Sequence, residues 1–491
     1  MCSSLHLSFP AASPAFESSS RNRKCRRLQR ILCFPLQSST VEDGENEANN
    51  NNCRNAILVE RYGNGTSRRY VLDDDSQLKS FPEEKDDIKR ESHMSDVTLS
   101  WLPYTVKDFI LPAGFPGSVS DDYLQYMLLQ FPTNITGWIC HTLVTSSLLK
   151  AVGVGSFTGS TAAASAAAIR WVSKDGIGAL GRLFIGGRFG SLFDGDPKQW
   201  RMYADFIGSA GSIFDLITQV YPTYFLPLAS LGNLTKAVAR GLKDPSSRVI
   251  QNHFAISGNM GEVAAKEEVW EVGAQWFGLA LGILILDTPG IVKSFPTLGL
   301  TWMSMRLLHL WLRYLSLSVL KFDTINLKRA RLLVKSHVLR SSVLGCVDCN
   351  REENILSLET FTKPRITFCV PLEEMIGSER SVAQVKILVK LYKKEKYFLV
   401  VNRRKKDFEV FVSFKVGATS MSVLRSVWQT YWLHENWGSS TNASDQLAQS
   451  LREMEVGFED FMQQLKLAGW NTRQINLKVP REISIDEIDS F

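Results

Sequence analysis

Residues 122–170 read DYLQYMLLQFPTNITGWICHTLVTSSLLKAVGVGSFTGSTAAASAAAIR, and this stretch decides the fold class. Lys150 is the only formally charged residue between its two ends, and its second half consists largely of Gly, Ala, Ser and Thr. Small side chains let helix backbones approach closely, and Gly155 and Gly159 have the spacing found in membrane helix pairs. Ala-rich segments also pack tightly in soluble proteins. The stretch therefore predicts closely packed helices that are partly membrane-like.

Apolar and basic segments continue this helical region. Residues 272–286 form the most apolar run of the chain, but a bilayer crossing needs about 20 residues. We expect this run, and the shorter one at 294–305, to form buried or partly inserted helices, with a full span as the alternative. Residues 303–340 combine helically spaced apolar residues with basic ones, which predicts a basic amphipathic helix at an anionic membrane surface. A core helix with one solvated face is the alternative.

The first 40 residues have the composition of an organellar leader. They contain six Arg or Lys residues against Glu17 alone, are rich in Ser, and lack a continuous apolar run. This pattern indicates a transit peptide, which we assign to residues 1–45, and favours the chloroplast over the mitochondrion. The leader accounts for most of the net charge of +6. The rest of the chain is nearly neutral, so the charge does not support nucleic-acid binding.

Composition divides the remaining chain into four parts. Residues 46–98 are polar and charged, which predicts a disordered linker. We assign residues 99–340 to a helical domain, 341–363 to a second linker, and 364–491 to a small α+β domain. In that last domain, residues 386–415 predict an antiparallel sheet, two helices follow near 419–435 and 444–468, and residues 473–479 resemble a strand. The predicted fold class is therefore mainly α with a small α+β C-terminal domain.

Three short motifs fail the tests for the chemistry that they suggest. Residues 176–181 (GIGALG) match a dinucleotide-binding pattern, but an Ala-rich segment precedes them where a strand is required. Residues 194–196 (DGD) lack the later Gly and Glu of a calcium loop and instead predict a turn that leads into a helix. Residues 346–349 (CVDC) have no second ligand pair for zinc and predict two thiols in a loop, with a redox role as the alternative. We predict no catalytic residue, cofactor or metal site.

Five blocks of sequence resemble successive blocks of the root UVB sensitive family. They are 111–123 (LPAGFPGSVSDDY), 149–155 (LKAVGVG), 171–182 (WVSKDGIGALGR), 194–205 (DGDPKQWRMYAD) and 257–267 (SGNMGEVAAKE). The resemblance implies a link with plastids, early seedling development, UV-B responses and vitamin B6 status. It also implies action together with another family member, and no enzymatic activity is established for the family. We therefore expect a non-catalytic, plastid membrane-associated protein that works in a complex with a related protein in UV-B response and development.

The alternative function is a transporter or binder of a small molecule, with a vitamin B6 compound as one candidate. Charged residues interrupt the apolar helical region, and burying a lone charge is costly, so each must be paired or contact a ligand. Structural ion pairs between helices are the competing explanation. The candidate ligand-binding residues are Asp122, Lys174, Asp175, Arg182, Asp194, Lys198, Arg201, Asp205 and Lys266.

Overall fold

The structure is a computed structural model. It describes residues 56–61, 67–72, 78–82, 103–152, 169, 172, 176, 193, 195–289, 294–357, 363–377, 382–402, 408–438, 442–480 and 482–487. The predicted leader, the Gly155 and Gly159 pair, and four candidate residues (Lys174, Asp175, Arg182 and Asp194) lie outside the described residues, so their predictions stay untested.

The chain divides into two compact units, and the first contains an antiparallel sheet of three strands. The strands are β1 (Ala56–Arg61), β2 (Ser67–Leu72) and β3 (Leu78–Pro82), with β2 in the centre. Their residues were predicted to belong to a disordered linker, which is wrong for this segment. The charges across the whole window hid two short β-prone runs, ILV at 57–59 and YVL at 70–72.

The second unit begins with a helical domain. Its elements are α1 (Tyr104–Ile110), α2 (Tyr123–Val152), α3 (Pro197–Ile217), a short 3-10 turn (Pro222–Tyr224), α4 (Phe225–Phe254), α5 (Met260–Asp287) and α6 (Phe295–Ser318). Helix α2 packs against both α5 and α6, while α3 pairs with α4 and also contacts α2 and α6. Asp196 caps α3, because its side chain accepts a hydrogen bond from the Gln199 backbone N–H at 3.1 Å. The prediction of a turn into a helix is confirmed at this residue.

Helix α5 meets α2 through small residues. The buried positions of α5 include Ala274, Gly278 and Gly282, which recur every four residues and so form one stripe. A Cβ atom on Gly278 would lie 2.6 Å from the Cβ of Trp138, and one on Gly282 would lie 2.8 Å from the Cβ of Thr142. The two backbones therefore approach so closely that neither glycine has room for a side chain.

The large apolar residues of α5 point away from the protein. Trp276, Ile283 and Leu284 are 76%, 62% and 64% exposed. Within the described residues, α5 is the one helix long and apolar enough to be a candidate membrane span, and 17% of its most apolar window is buried. Of the expectations for this run, a buried helix is thus wrong for most of this surface, while a partly inserted or spanning helix stays a prediction. Small residues inside and large apolar residues outside reverse the pattern of a soluble amphipathic helix.

The predicted basic amphipathic helix over 303–340 is also wrong, because it is two helices with a break between them. Helix α6 ends at Ser318, and α7 (Leu327–Arg340) begins after Asn326, whose side chain accepts from the Arg329 backbone N–H at 2.8 Å. Arg313 and Arg329 are each 1% exposed. Their helical face meets buried carboxylates instead of a membrane surface, and sequence spacing cannot distinguish these two cases.

The C-terminal domain packs helices around a four-stranded mixed sheet. Its elements after α7 are α8 (Cys346–Glu352), β4 (Arg365–Phe368), α9 (Leu372–Ile376), α10 (Val382–Leu391), β5 (Tyr397–Asn402), β6 (Glu409–Lys415), α11 (Ser420–Asn436), α12 (Ala443–Leu467) and β7 (Ser484–Ile485). Strand β6 pairs antiparallel with β5 and parallel with β4 and β7. The fold class, mainly α with a small α+β C-terminal domain, is confirmed.

Several details of this domain differ from the sequence predictions. The sheet is mixed and not antiparallel, because only β5 and β6 form the predicted hairpin. Residues 386–391 belong to α10, and in 473–479 only Ile475 forms a bridge, to Ile325. The predicted linker at 341–363 contains α8, so the CVDC thiols lie on a helix and not in a loop. Helices α11 and α12 confirm the two predicted helices.

The contact between α5 and α2 predicts opposite effects for one substitution at two glycines of α5. Gly278→Ala should lower the free energy of unfolding by about 1–3 kcal/mol, because its Cβ would overlap Trp138 and the Ile135 carbonyl. Gly273→Ala is the matched control, since its Cβ would lie 3.7 Å from the nearest atom, on Phe131. It should be neutral or stabilise by up to about 1 kcal/mol through helix propensity. Equilibrium unfolding in detergent measures both, and equal effects would contradict the packing.

Candidate functional site: a charged cavity in the helical domain

One carboxylate in the helical domain is shared by two buried arginines. Asp205 lies on α3, one turn after Arg201, and faces Arg313 of α6. Its Oδ2 lies 2.6 Å from Arg313 Nε and 3.0 Å from Arg201 Nη1. Both arginines are at most 2% exposed. Two guanidinium groups on one carboxylate leave one positive charge in the interior without a counter-charge in this cluster.

Further polar groups of α6 surround this cluster. Arg306 donates from Nη2 to the Asp205 carbonyl at 2.7 Å and from Nε to the Ser209 hydroxyl. His309 lies between Arg306 and Arg313 in the sequence, and its Nδ1 is 2.9 Å from the Thr133 carbonyl oxygen. Because a carbonyl oxygen only accepts, Nδ1 carries the proton. The other ring nitrogen, Nε2, is buried 3.6 Å from Asp205 Oδ2 and interacts with this carboxylate.

These groups line a cavity of about 640 Å³ among α2, α3, α4, α5 and α6. Six cationic side chains and three carboxylates border it, so three positive charges are in excess. The cations are Arg201, Lys236, Arg240, Lys243, Arg306 and Arg313, and the carboxylates are Asp205, Asp215 and Glu271. Lys236 is ion-paired with Asp215, and Lys243 lies 3.6 Å from Glu271. A concave site with such an excess attracts small anions.

Sequence reasoning found two of the cavity residues, Arg201 and Asp205, and missed the rest. The signal was present in the spacing. Arg306, His309 and Arg313 are three and four residues apart, so they share one face of α6. Lys236, Arg240 and Lys243 likewise share one face of α4. The sequence pattern favoured a membrane-facing position for Arg306 and Arg313 of α6, but both lie on the inward face of the helix and line the cavity.

The comparisons with known proteins agree on the family. The family model described as the vitamin B6 photo-protection and homoeostasis domain matches residues 98–341, and that of the root UVB sensitive protein C-terminal domain matches 342–480. The chain belongs to the root UVB sensitive family. It is 64% identical to protein root UVB sensitive 5 of Arabidopsis thaliana over 480 residues, which is 94% of each chain.

More distant relatives cover most of the chain as well. Protein root UVB sensitive 3 of Arabidopsis thaliana is 24% identical, covering 74% of this chain and 82% of its own. Protein root UVB sensitive 2, chloroplastic, from the same plant is also 24% identical, with 74% and 80% covered. No solved structure matches this root UVB sensitive chain.

The two matched regions of this root UVB sensitive chain are joined by a second buried ionic cluster. Glu353 Oε2 lies 3.0 Å from Lys198 Nζ of α3 and 3.2 Å from Arg329 Nε of α7, and Asn326 donates to Oε1 at 3.1 Å. All three charged side chains are 1% exposed. Burial alone would raise the pKa of Glu353, but the positive charges of Arg329 and Lys198 lower it to about 2. Lys198, a candidate ligand residue, is therefore part of the joint between the two regions.

Two other candidate residues also have structural partners. Asp122 accepts from the Lys321 backbone N–H at 2.7 Å and lies 3.0 Å from His253 Nε2. Lys266 donates to the carbonyls of Asp108 and Phe109 at 2.5 and 3.2 Å. It thereby supplies hydrogen-bond donors to carbonyl groups that the C-terminal turn of α1 leaves unpaired. The candidate residues that the structure describes therefore do not meet at one place, and only Arg201 and Asp205 border the cavity.

Metal and redox chemistry gain no support from the part of the chain that the structure describes. Within it, no group of three His, Cys, Asp or Glu side chains could hold a metal ion. Burial raises the pKa of the Cys349 thiol to about 12, and it also raises that of Cys346. A reactive cysteine needs a lowered pKa, so the CVDC pair is poorly suited to a redox role.

The joint predicts a large effect for Glu353→Gln, which keeps the side-chain shape and removes the charge. Lys198 and Arg329 would then remain buried without their carboxylate, at a cost of about 3–5 kcal/mol in the free energy of unfolding. Glu352→Gln on the preceding, exposed residue is the matched control and should change stability little. Chemical denaturation compares the two, and equal midpoints would show that the cluster does not hold the regions together.

The same carboxylate predicts the direction of a pH effect. The pKa of Glu353 in the folded protein is about 2, below its usual value of 4.5. Its contribution to the free energy of unfolding is therefore complete above pH 4.5 and is lost as the pH falls towards 2. The denaturant concentration at the unfolding midpoint of the wild type should decrease between pH 4.5 and pH 2. The Glu353→Gln variant should lack the part of this decrease that is due to Glu353.

Proposed function

We propose that this chain is a non-catalytic plastid protein that is held at a membrane by α5 and acts with a related member of the root UVB sensitive family. The observation that carries the proposal is the reversed polarity of α5, with small residues facing α2 and large apolar residues facing outward. Lipid chains suit such a surface, because tight small-residue contacts are how helices associate where no water drives them together.

Helix α6 carries a second exposed apolar face. Leu300, Leu307 and Trp311 are 70%, 60% and 59% exposed, and their spacing of seven and four residues puts them on one side of the helix. Exposed apolar residues on one side of a helix mark an interaction site. The opposite side of α6 carries the cavity arginines, so this helix separates a charged interior from an apolar exterior.

Only part of α5 is suited to the apolar layer. Its 28 residues span about 42 Å, more than the roughly 30 Å of a bilayer core, but its acidic residues all precede residue 272 apart from the terminal Asp287. We propose that residues 272–286 enter the apolar layer while the acidic half stays at the polar surface. Trp276, close to this boundary, suits the interface between lipid and water.

Membrane attachment by α5 predicts how the protein leaves chloroplast membranes. An alkaline carbonate wash should leave the wild type in the pellet, while the double variant Ile283→Lys, Leu284→Lys should move to the soluble fraction. The matched control places lysines at Val456 and Leu467 of α12, which are 77% and 84% exposed, and should stay in the pellet. Complete release of the wild type by a low-salt wash would contradict the proposal.

The plastid location is supported by the leader and by a relative whose name includes the word chloroplastic. We expect isolated chloroplasts to import the full chain into a protease-protected form, and a chain without residues 1–45 to remain unprotected. Equal protection of the truncated chain would contradict the assignment. A complex with another family member, and a role in UV-B response, stay predictions from the family resemblance.

A second candidate function is the binding or transport of a small molecule in the helical domain. The observation that favours it is the cavity of about 640 Å³, which is within the range of about 300–1,000 Å³ typical of small-molecule sites. The matching family model is described by vitamin B6 photo-protection and homoeostasis. A vitamin B6 compound is therefore a reasonable first ligand to test.

A further inference from the structure

We infer that the cavity binds its ligand by a phosphate group, and that Arg306 and the pair Arg201 and Arg313 hold this group. The inference rests on the second candidate function, the binding of a small molecule in the helical domain, and names the chemical class of the ligand. A phosphomonoester, free or as a lipid headgroup, is the shared chemistry.

The described residues that line the cavity leave positive charge unbalanced. Arg201 and Arg313 share the single carboxylate of Asp205. The hydrogen bonds of Arg306 to Asp205 O and Ser209 Oγ go to neutral acceptors, so they do not balance its charge. With exposed Arg240 on α4, the lining has three positive charges in excess. A phosphomonoester carries about 1.5 to 2 negative charges at neutral pH and offsets most of this excess, whereas a carboxylate offsets one charge.

The unbalanced charges of the cavity come from one type of cation. The three charges without a carboxylate of their own come from arginine side chains, while both lysines of the lining lie beside Asp215 or Glu271. Guanidinium groups present planar pairs of N–H donors that match the oxygens of a phosphate. Asp205 would then act as a positioning residue, because it holds Arg201 and Arg313 in place and is itself neutralised by them.

Arg240 is the exposed cation on the α4 side of the cavity. Lys236 and Lys243, before and after it on the same face of the helix, are partly buried beside Asp215 and Glu271. An exposed cation at the cavity attracts an anion and raises its rate of association, and this effect weakens with salt. Arg240 is thus expected to contribute without supporting the fold.

The test is calorimetry on the full chain in detergent with inorganic phosphate, pyridoxal 5′-phosphate and pyridoxal. We expect pyridoxal 5′-phosphate to bind at least about tenfold more tightly than pyridoxal, since the latter lacks the charged group. Arg306→Gln should weaken binding about tenfold or more, and Arg240→Gln about threefold to tenfold. The matched control is Arg248→Gln, an exposed arginine of α4 that does not line the cavity, and it should bind as the wild type does.

Arg240→Gln keeps the test decisive if Arg306→Gln fails to fold, because Arg240 is exposed and its variant should unfold at the wild-type temperature. Vesicles with phosphatidic acid, compared with phosphatidylcholine alone, distinguish a lipid headgroup from a soluble phosphomonoester. Equal binding of pyridoxal and pyridoxal 5′-phosphate would overturn the phosphate inference and leave a small-molecule role standing. Absence of binding to every phosphate probe would overturn the inference too. Attachment to the membrane is a separate question, which the carbonate wash measures.

Discussion

Helix α5 can lie against α2 only because Gly278 and Gly282 carry no side chains. This close approach fixes the orientation of the helix, since turning it by half a turn would push Trp276 or Leu284 into α2. The bulky apolar residues must therefore face outward, and the exposed surface of the domain follows from the contact. A helix of the same composition with its small residues outside would instead be an ordinary core helix.

The interior of the helical domain has the opposite character. Arg201 and Arg313 are buried against the partly buried Asp205, and Arg306 and His309 extend this polar cluster along α6. Burying charges is expensive, so a protein keeps them where they are paired or where a ligand uses them. A polar interior with an apolar exterior is the arrangement that a polar site enclosed by membrane helices requires.

The two ionic clusters of α3 have different roles. Glu353 contacts both Lys198 and Arg329, and Lys198 also donates to Asn350 at 3.0 Å, so this cluster joins the helical and C-terminal regions. One and two turns further along the same helix, Arg201 and Asp205 belong to the cluster that borders the cavity, whose described lining has three positive charges in excess. A single helix thus fixes the arrangement of the two regions at one end and shapes the cavity farther along.

The sequence predicted features that depend on neighbouring residues and failed on those that depend on distant partners. The cap at Asp196 and helices α11 and α12 followed from local patterns. Residues 386–391 (KILVKL) satisfy both a strand and a helix period, and only the contacts of α10 decide between them. The spacing of Arg306 and Arg313 defined a helix face, but whether that face meets lipid or Asp205 depends on a helix that lies about 100 residues away.

The central claim is that the outer face of α5 lies in lipid, and a spin label on that face tests it most directly. In reconstituted vesicles, a label at Ile283→Cys and one at Val456→Cys are compared for relaxation by oxygen and by a water-soluble nickel complex, after the reactive native thiols have been replaced. Both positions are exposed, at 62% and 77%. The account predicts that the Ile283 label relaxes with oxygen and is shielded from nickel, while the Val456 label is open to nickel. Equal relaxation of both labels by nickel would contradict it.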